Sequence, residues 1–216
     1  MAKCEICCMD LLVVAATKLE IAPFLATNYT IDTLITGVGI PSTLFSLHQK
    51  LMQAKYDLVI QAGIAGTFKE NFEKTDVFLI DTDTFADIGI DEGGNFKTLF
   101  NLGFADENEF PYKNGWLMNE HEMINGGTFP TAKAVTVNKI TDDKIYLKTL
   151  AGKFNADVES MEGAAFHYVC LQKKIKFLQL RSISNVVGER DKTKWKMKEA
   201  ITSLNMALED LIENFT

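Results

Sequence analysis

Three residues with acid–base or hydrogen-bonding side chains stand directly after apolar stretches of strand length. Glu20, Glu162 and Asn185 each come within a few residues of the end of such a stretch. A carboxylate at the position of Glu20 can activate water as a general base. The two oxygens of Glu162 can accept hydrogen bonds side by side, which suits a vicinal diol such as ribose. Because the Asn185 amide both donates and accepts, the three side chains form a candidate site for acid–base chemistry on a small molecule.

Both carboxylates also have a purely structural explanation. Glu20 stands near the start of one predicted helix and Glu162 in the first turn of another, positions at which the helix dipole favours a negative side chain. Arg181 lies inside an apolar stretch, where a guanidinium without a carboxylate partner is costly, so we expect it to be structural and paired. Position alone leaves the functional and the structural explanations of Glu20 and Glu162 open.

Glycines close several predicted strands. At such places glycine supplies a positive φ or lets a ligand approach the backbone, and the sequence does not distinguish the two. The chain contains neither GxGxxG nor GxxxxGK[ST], so it carries no dinucleotide-binding fingerprint and no P-loop. The three histidines are scattered, and their spacing forms neither a catalytic triad nor a metal site. The four glycines are Gly37, Gly39, Gly63 and Gly66.

Apolar stretches of strand length alternate along the chain with stretches of helical periodicity. This alternation predicts an α/β fold, with a single domain over residues 1–216 and a central, mostly parallel, twisted mixed sheet flanked by helices. The predicted strands are Leu11–Ala16, Ile31–Thr36, Leu58–Ala62, Val77–Asp81, Lys133–Val137, Val158–Met161 and Ile175–Ile183. The predicted helices begin near Pro41, cover Thr141–Leu150 and Glu162–Gln172, and end with one from Met197 to Leu211.

In such sheets the ligand site lies beyond the carboxyl ends of the strands. We therefore expect one pocket where the segments that follow the predicted strands converge. Residues 88–130 differ from the rest because they are rich in glycine, asparagine and aromatic residues, which indicates a functional loop or small elements of its own. The converging segments are Thr17–Glu20, Gly37–Gly39, Gly63–Gly66, Met161–Glu162 and Ser184–Asn185.

Composition narrows the class of ligand. The chain of 216 residues is 47% hydrophobic and has a net charge of −7, which disfavours nucleic-acid binding. No apolar run is long enough to span a bilayer, and Asp10 interrupts the only stretch that resembles a signal peptide. Cys4 and Cys7 form a lone CxxC, expected to be reduced thiols, with a redox or metal role as the alternative. We expect a cytoplasmic protein that binds small molecules and neither nucleic acid nor membrane.

Five motifs together resemble the nucleoside phosphorylase/nucleosidase superfamily. They occur in that family's order and spacing over nearly the whole chain, and within the superfamily they look most like the futalosine hydrolases. The segment 185–191 followed by Trp195 adds to this closer resemblance. The motifs are Ala15–Glu20, Gly37–Gly39, Gln61–Gly66, Glu159–Ala165 and Arg181–Asn185.

The resemblance implies a role for particular residues. Glu20 falls where the nucleosidases keep the carboxylate that activates the attacking water. Glu162 falls on the ligand of the ribose hydroxyls, and Met161 on the residue packed against the sugar. The turn with Gly63 and Ile64 would also bind substrate. Asn185 would be catalytic, acting on the departing base.

Two departures from related enzymes refine the implied reaction. Asn185 stands where adenine-releasing methylthioadenosine/S-adenosylhomocysteine nucleosidases have an Asp that protonates purine N7. An amide supplies no proton near neutral pH but can stabilise charge on O6 of a 6-oxopurine, which favours hypoxanthine as leaving group. Gln61 stands where many phosphorylases carry an Arg for phosphate, and Glu20 would repel a phosphate dianion. Water is therefore the expected nucleophile.

The implied activity is that of an N-ribosyl hydrolase cleaving futalosine to hypoxanthine and dehypoxanthine futalosine in the alternative menaquinone pathway. The resemblance implies no metal and no organic cofactor, and a homodimer or higher homo-oligomer. The alternatives are a methylthioadenosine/S-adenosylhomocysteine or aminofutalosine nucleosidase, a purine nucleoside phosphorylase, and a non-catalytic nucleoside-binding protein. The aromatic residues of 88–116 would either contact the aromatic carboxylate tail of the substrate or pack a subunit interface.

Overall fold

The structure, a computed structural model, describes residues 9–127 and 129–215. The strands are β1 (Leu11–Ala15), β2 (Asp32–Ile35), β3 (Leu58–Thr67), β4 (Val77–Asp83), β5 (Gly89–Glu92), β6 (Asn95–Thr98), β7 (Leu117–Met118), β8 (Thr131–Thr136), β9 (Val158–Ser160) and β10 (Lys176–Val186). The helices are α1 (Ala22–Leu25), α2 (Ile40–Gln53), α3 (Glu122–Asn125), α4 (Lys144–Phe154), α5 (Gly163–Lys173) and α6 (Met197–Glu213), with a 3-10 turn at Lys192–Lys194.

Strand β3 is the centre of a mixed eight-stranded sheet. It pairs in parallel with β1 and β10, and β1 pairs in parallel with β2. From β10 the sheet continues through antiparallel β4 to parallel β8 and β9, and β9 then returns to β3 in antiparallel register. Part of the sheet therefore closes on itself. The α/β class and the mostly parallel mixed sheet expected from the sequence are confirmed.

The long strand β3 leaves a gap between its neighbours on one edge. Strand β1 pairs with Leu58–Gln61 and β9 with Gly66–Thr67, so within the described chain no strand covers residues 62–65 on that edge. The other edge stays paired with β10 along its whole length. A backbone N–H in the gap needs another partner, and the amide of Ile64 finds it in the side chain of Glu20. This gap opens the sheet to a ligand.

Helices cover both faces of the sheet, as the apolar runs require. On β1, Leu11 and Val13 face a cluster that contains Leu204 and Leu208 of α6. The alternate residues of β1 face the helices α2 and α5 on the other side, where they pack with Phe166. A strand buried on both faces reads as an uninterrupted apolar run, which is why the sequence identified β1 readily.

Several predicted boundaries are wrong. Gly63–Gly66 is not a turn but the second half of β3, because ten residues of pairing with β10 hold it extended. The helix predicted at Thr141–Leu150 is α4, which starts at Lys144 and is capped by Asp143, whose carboxylate accepts the N–H groups of Ile145 and Tyr146.

The segment 88–130 does hold small elements of its own: the β5–β6 hairpin, β7 and α3. Cys4 and Cys7 lie outside the described residues. In the described ranges, no helix combines the length and the apolar character needed to cross a membrane.

Candidate active site

All five segments that follow predicted strands converge on one cavity of about 300 Å³. It opens at the gap in the sheet edge, where the loop after β1, the start of α2, the end of β3, the β9–α5 junction and the end of β10 meet. The expected convergence is confirmed, although Gly63 lies behind the wall and not on its surface. The predicted site residues that line the cavity are Glu20, Ile64, Met161, Glu162 and Asn185.

The carboxylate of Glu20 is buried and held in a fixed orientation. Its Oε2 accepts hydrogen bonds from the backbone N–H and the hydroxyl of Thr17, both at 2.9 Å, and its Oε1 accepts the N–H of Ile64 at 3.2 Å. Glu20 stands just before α1, but its carboxylate is buried and hydrogen-bonded to Thr17 and Ile64, so the alternative of an exposed carboxylate favoured by a helix dipole is wrong. Three donors leave about one of its four acceptor positions open to the cavity.

The loop that carries Glu20 is anchored by Asn205 of α6. The Asn205 amide donates to the backbone carbonyl of Glu20 at 2.8 Å and accepts the N–H of Phe24 at 3.0 Å, and its side chain is buried. Sequence analysis missed this residue. The only signal was a polar residue on the otherwise apolar face of the last helix, at helical spacing from Ile201 and Leu208.

Glu162 also points its carboxylate into the cavity rather than at its own helix. It occupies the N-cap position of α5 but its side chain caps no α5 amide, and Oε1 instead accepts the N–H of Gly39 at 3.0 Å. Gly39 has φ 92°, a conformation that glycine adopts without strain. The structural explanation from the helix dipole therefore does not account for this side chain.

Arg181 is the buried counter-charge of Glu162. Its guanidinium is 3.9 Å from Glu162 Oε2 and donates to Gln61 Oε1 at 2.9 Å. This confirms the expectation of a buried, carboxylate-paired arginine. Burial raises the pKa of Glu162, while the positive charge of Arg181 and the Gly39 amide act in the opposite direction.

Position 63 needs a glycine because the side chain of Arg181 occupies the space of a Cβ, and not because the chain turns there. A Cβ added at Gly63 would lie 2.1 Å from Arg181 Nη1 and 3.2 Å from Glu20 Oε1. The missing side chain therefore lets the guanidinium pass beneath the cavity floor. Its neighbour Ile64 contributes the backbone amide that orients Glu20 and also lines the cavity.

Asn185, near the end of β10, and Met161, between β9 and α5, both line the cavity wall. The Asn185 Nδ2 donates to the carbonyl of Val186 at 2.9 Å, and its Oδ1 accepts the Ser184 hydroxyl at 2.8 Å. These contacts orient the amide and leave one N–H of Nδ2 free. Met161 is half-buried beside Glu162, where its thioether contributes apolar surface.

The aromatic side chain that lines this cavity is Trp195, which lies outside the aromatic-rich segment 88–116. Its indole N–H donates to the backbone carbonyl of Glu189 at 2.9 Å, which holds the ring in place. The aromatics of 88–116 pack elsewhere: Phe100 stacks edge-on against Tyr112 at 5.1 Å. The described residues of 88–116 thus contribute nothing to the cavity lining.

The charges at the cavity are of one sign. Glu20, Glu159 and Glu162 line it, and among the described residues no lysine or arginine does. Gln61, which stands where many phosphorylases carry an arginine, is buried under the floor and bonded to Arg181. At these carboxylates the arrangement suits a neutral group with hydroxyls better than a phosphate dianion.

Comparison with known proteins shows the family of the chain. The model of the phosphorylase superfamily matches residues 25–214. The futalosine hydrolase of Thermus thermophilus is 28% identical over 187 residues, which are 83% of this chain and 80% of that protein.

Solved structures share the fold. The native structure of futalosine hydrolase of Helicobacter pylori has a TM-score of 0.77 at 14% identity and covers 96% of this chain and 98% of that one. A 5'-methylthioadenosine/S-adenosylhomocysteine nucleosidase from Colwellia psychrerythraea, in complex with adenine, has a TM-score of 0.78 at 16% identity and covers 96% of each chain. The similarity expected from the five motifs is confirmed: the chain belongs to the phosphorylase superfamily.

Proposed function

We propose that this chain is a nucleosidase that hydrolyses futalosine and releases hypoxanthine. The observation that carries the proposal is the cavity with three carboxylates and, in the part of the chain that the structure describes, no cationic lining. Water and a neutral ribose fit such a site, whereas a phosphate dianion would meet like charges without a partner. The 28% identity to the Thermus thermophilus futalosine hydrolase supports the choice of substrate.

Glu20 acts as the general base. The three hydrogen bonds that fix its carboxylate leave an acceptor position for the attacking water. The water oxygen forms a bond to C1′ of the ribose as the bond from C1′ to the purine nitrogen breaks, and one water proton passes to Glu20. A base at this position contributes roughly 10²–10⁴-fold to the rate.

Glu162 holds the ribose. Its carboxylate has one oxygen on the Gly39 amide and the other near Arg181, and both oxygens keep acceptor positions for the two ribose hydroxyls. Met161 packs against the sugar beside it. The hydrogen bonds to the hydroxyls orient C1′ toward the water at Glu20.

Asn185 acts on the leaving base. The purine departs with the electron pair of the broken bond and so becomes negatively charged. The free N–H of the Asn185 amide donates toward O6, the oxygen on which a 6-oxopurine carries this charge. The base then takes up a proton from solvent, which balances the proton released by Glu20. An adenine leaving group lacks that oxygen and gains less from an amide.

The test is the identity of the released base. Purified protein is incubated with futalosine, inosine and methylthioadenosine, and the products are separated by chromatography. Hypoxanthine from futalosine supports the proposal, whereas adenine from methylthioadenosine with futalosine intact would contradict it. A cytoplasmic location and a homo-oligomeric state remain predictions from the sequence, tested by fractionation and by light scattering.

A further inference from the structure

Glu159 is a carboxylate in the cavity to which no step above assigns a role. Its side chain is 6% exposed, and its residue lines the cavity. Among the described residues, no group donates a hydrogen bond to its oxygens. A buried carboxylate without a donor is costly, so one that faces a cavity is prepared for a ligand that brings a donor.

The register of the sheet places Glu159 in one row with Asn185. Asn185 of β10 is paired with Gly66 of β3, and Gly66 is paired with Glu159 of β9. Paired residues on neighbouring strands project to the same face, and neighbouring strands lie about 4.8 Å apart. The backbones of Glu159 and Asn185 are therefore separated by about 10 Å, two strand spacings, with Gly66 between them.

Gly66 leaves the space between the two side chains open. A Cβ added there would lie 3.3 Å from the Nδ2 of Asn185 and 3.0 Å from a methyl of Val187. Any larger residue would occupy this slot or push Asn185 aside. Since the cavity is lined by all three residues of the row, the slot faces the ligand.

The two ends of the slot offer opposite hydrogen-bonding functions. Asn185 has one N–H free to donate, and the ionised Glu159 can only accept. The edge of a 6-oxopurine is complementary, because its O6 accepts and its N1–H donates. The edge of adenine is not, because its N1 carries a lone pair that would face the lone pairs of the carboxylate.

We propose that Glu159 is a specificity-determining residue whose carboxylate accepts the N1–H of a 6-oxopurine base, while Asn185 donates at the O6 side across the slot left by Gly66. This rests on the proposed function of the same cavity. The contact with N1–H explains how the site recognises the purine base. The roles of Glu20 toward water and of Glu162 toward the ribose do not explain this recognition.

The surroundings of Glu159 are consistent with this role. Burial, and then the charge of Asp87, raise the pKa of Glu159 to about 7. Asp87 follows β4, and Tyr146 of α4 also faces this carboxylate from outside the cavity, while Glu162 shares the cavity with it. With negative or neutral neighbours alone, Glu159 gains most from a donor that arrives with the ligand.

The test measures binding of free bases, so it does not depend on turnover. Titration calorimetry at pH 8 compares hypoxanthine and adenine on the wild type, on Glu159→Gln and on Glu70→Gln, an exposed control of the same chemistry. We expect Glu159→Gln to bind hypoxanthine at least tenfold more weakly and adenine within threefold of wild type. Unchanged hypoxanthine binding, or an equal loss for both bases, would overturn the proposal.

A measurement on the wild type alone guards against a variant that does not fold. 1-Methylhypoxanthine keeps O6 and lacks the N1–H, so it should bind at least tenfold more weakly than hypoxanthine, and equal affinities would overturn the proposal. Glu159→Ala, which also makes room for the methyl group, should bind the two bases equally. A wild type that binds hypoxanthine selectively but leaves futalosine intact refutes the proposed function and not the role of Glu159.

Discussion

At the scale of single residues, Glu20 is distinguished by having one acceptor position left after three hydrogen bonds. We predict that Glu20→Gln lowers kcat roughly 10²–10⁴-fold, because an amide of the same shape cannot take a proton from water. Substrate binding should change little, since the ribose contacts belong to Glu162. Single-turnover kinetics and equilibrium binding of futalosine measure the two effects, and near-normal turnover would exclude Glu20 as the base.

The amide of Asn185 should set the preference for the leaving base. Asn185→Asp introduces a group that can carry a proton to purine N7, so we predict a rise in cleavage of methylthioadenosine relative to futalosine. The ratio of the two kcat/KM values is the readout, and Asn185→Ala serves as the control that removes both functions. An unchanged ratio in the aspartate variant would refute the leaving-group argument.

The sequence identified Glu20, Glu162 and Asn185 because each follows a recognisable apolar strand. It did not assign Glu159, which lies inside a strand of only three residues, where alternation is too short to indicate a face. Arg181 shows the signal that was available: a charged residue within an apolar strand needs a partner. For Glu159 that partner is absent from the described residues, and this was visible only in the structure.

At the scale of secondary-structure elements, Gly63 lets β3 and the side chain of Arg181 lie in contact. A methyl group there would lie 2.1 Å from the guanidinium, so Gly63→Ala should displace Arg181 from Glu162 and Gln61. We predict a loss of about 1–3 kcal/mol in the free energy of unfolding and a marked fall in kcat/KM.

Gly152 is the matched control for this substitution. It lies within α4, and a Cβ there would meet no atom within 4 Å. Gly152→Ala should raise the free energy of unfolding by about 0.5–1 kcal/mol and leave activity unchanged. Urea unfolding of both variants measures the difference, and equal stabilities would contradict the proposed contact between Gly63 and Arg181.

The elements themselves were largely predictable, and their ends were not. Buried strands such as β1 and β10 read as continuous apolar runs, and α6 as an amphipathic helix. The extension of β3 through its glycines could not be predicted locally, because it depends on pairing with β10, more than 100 residues later in the chain. The sequence predicts Thr141 or Asp142 as the cap of α4, and this is wrong: Asp143 caps the helix, because its carboxylate accepts the N–H groups of Ile145 and Tyr146.

At the scale of the whole molecule, Asp83 makes folding depend on pH. Burial raises the pKa of Asp83 to about 7 from an ordinary value of 3.8. The folded state therefore binds this proton more tightly, and the stabilisation is present in full below pH 4 and lost as the pH rises through 7. One such group contributes a slope of about 1.4 kcal/mol per pH unit in that window.

We predict that Asp83→Asn removes this slope. The unfolding free energy of the wild type minus that of the variant should decrease from pH 5 to pH 7 and stay constant at higher pH. Burial lowers the pKa of His167 to about 3, so this group gives stability the opposite dependence on pH. Because His167 is present in both proteins, its contribution cancels in the difference. Urea unfolding at several pH values checks this, with exposed Asp142→Asn as control, and a constant difference would contradict it.

The closure of the sheet is the feature of the whole molecule that the sequence did not show. The pairing of β9 with β3 joins strands that are about 90 residues apart, and it puts Glu159 in one row with Gly66 and Asn185. Apolar periodicity carries no information on such long-range register. The rule that ligands bind beyond the carboxyl ends of parallel strands predicted that the five segments converge, and the geometry between them came from the structure.

The central claim is that water, and not phosphate, attacks at a cavity lined by carboxylates. The most direct measurement is the initial rate of hypoxanthine release from futalosine in the absence and in excess of phosphate, with identification of the sugar product. We predict equal rates and a free sugar at C1′, because Glu20 activates water and no cation lining the described cavity binds phosphate. A rate that requires phosphate, with a sugar 1-phosphate as product, would contradict the account.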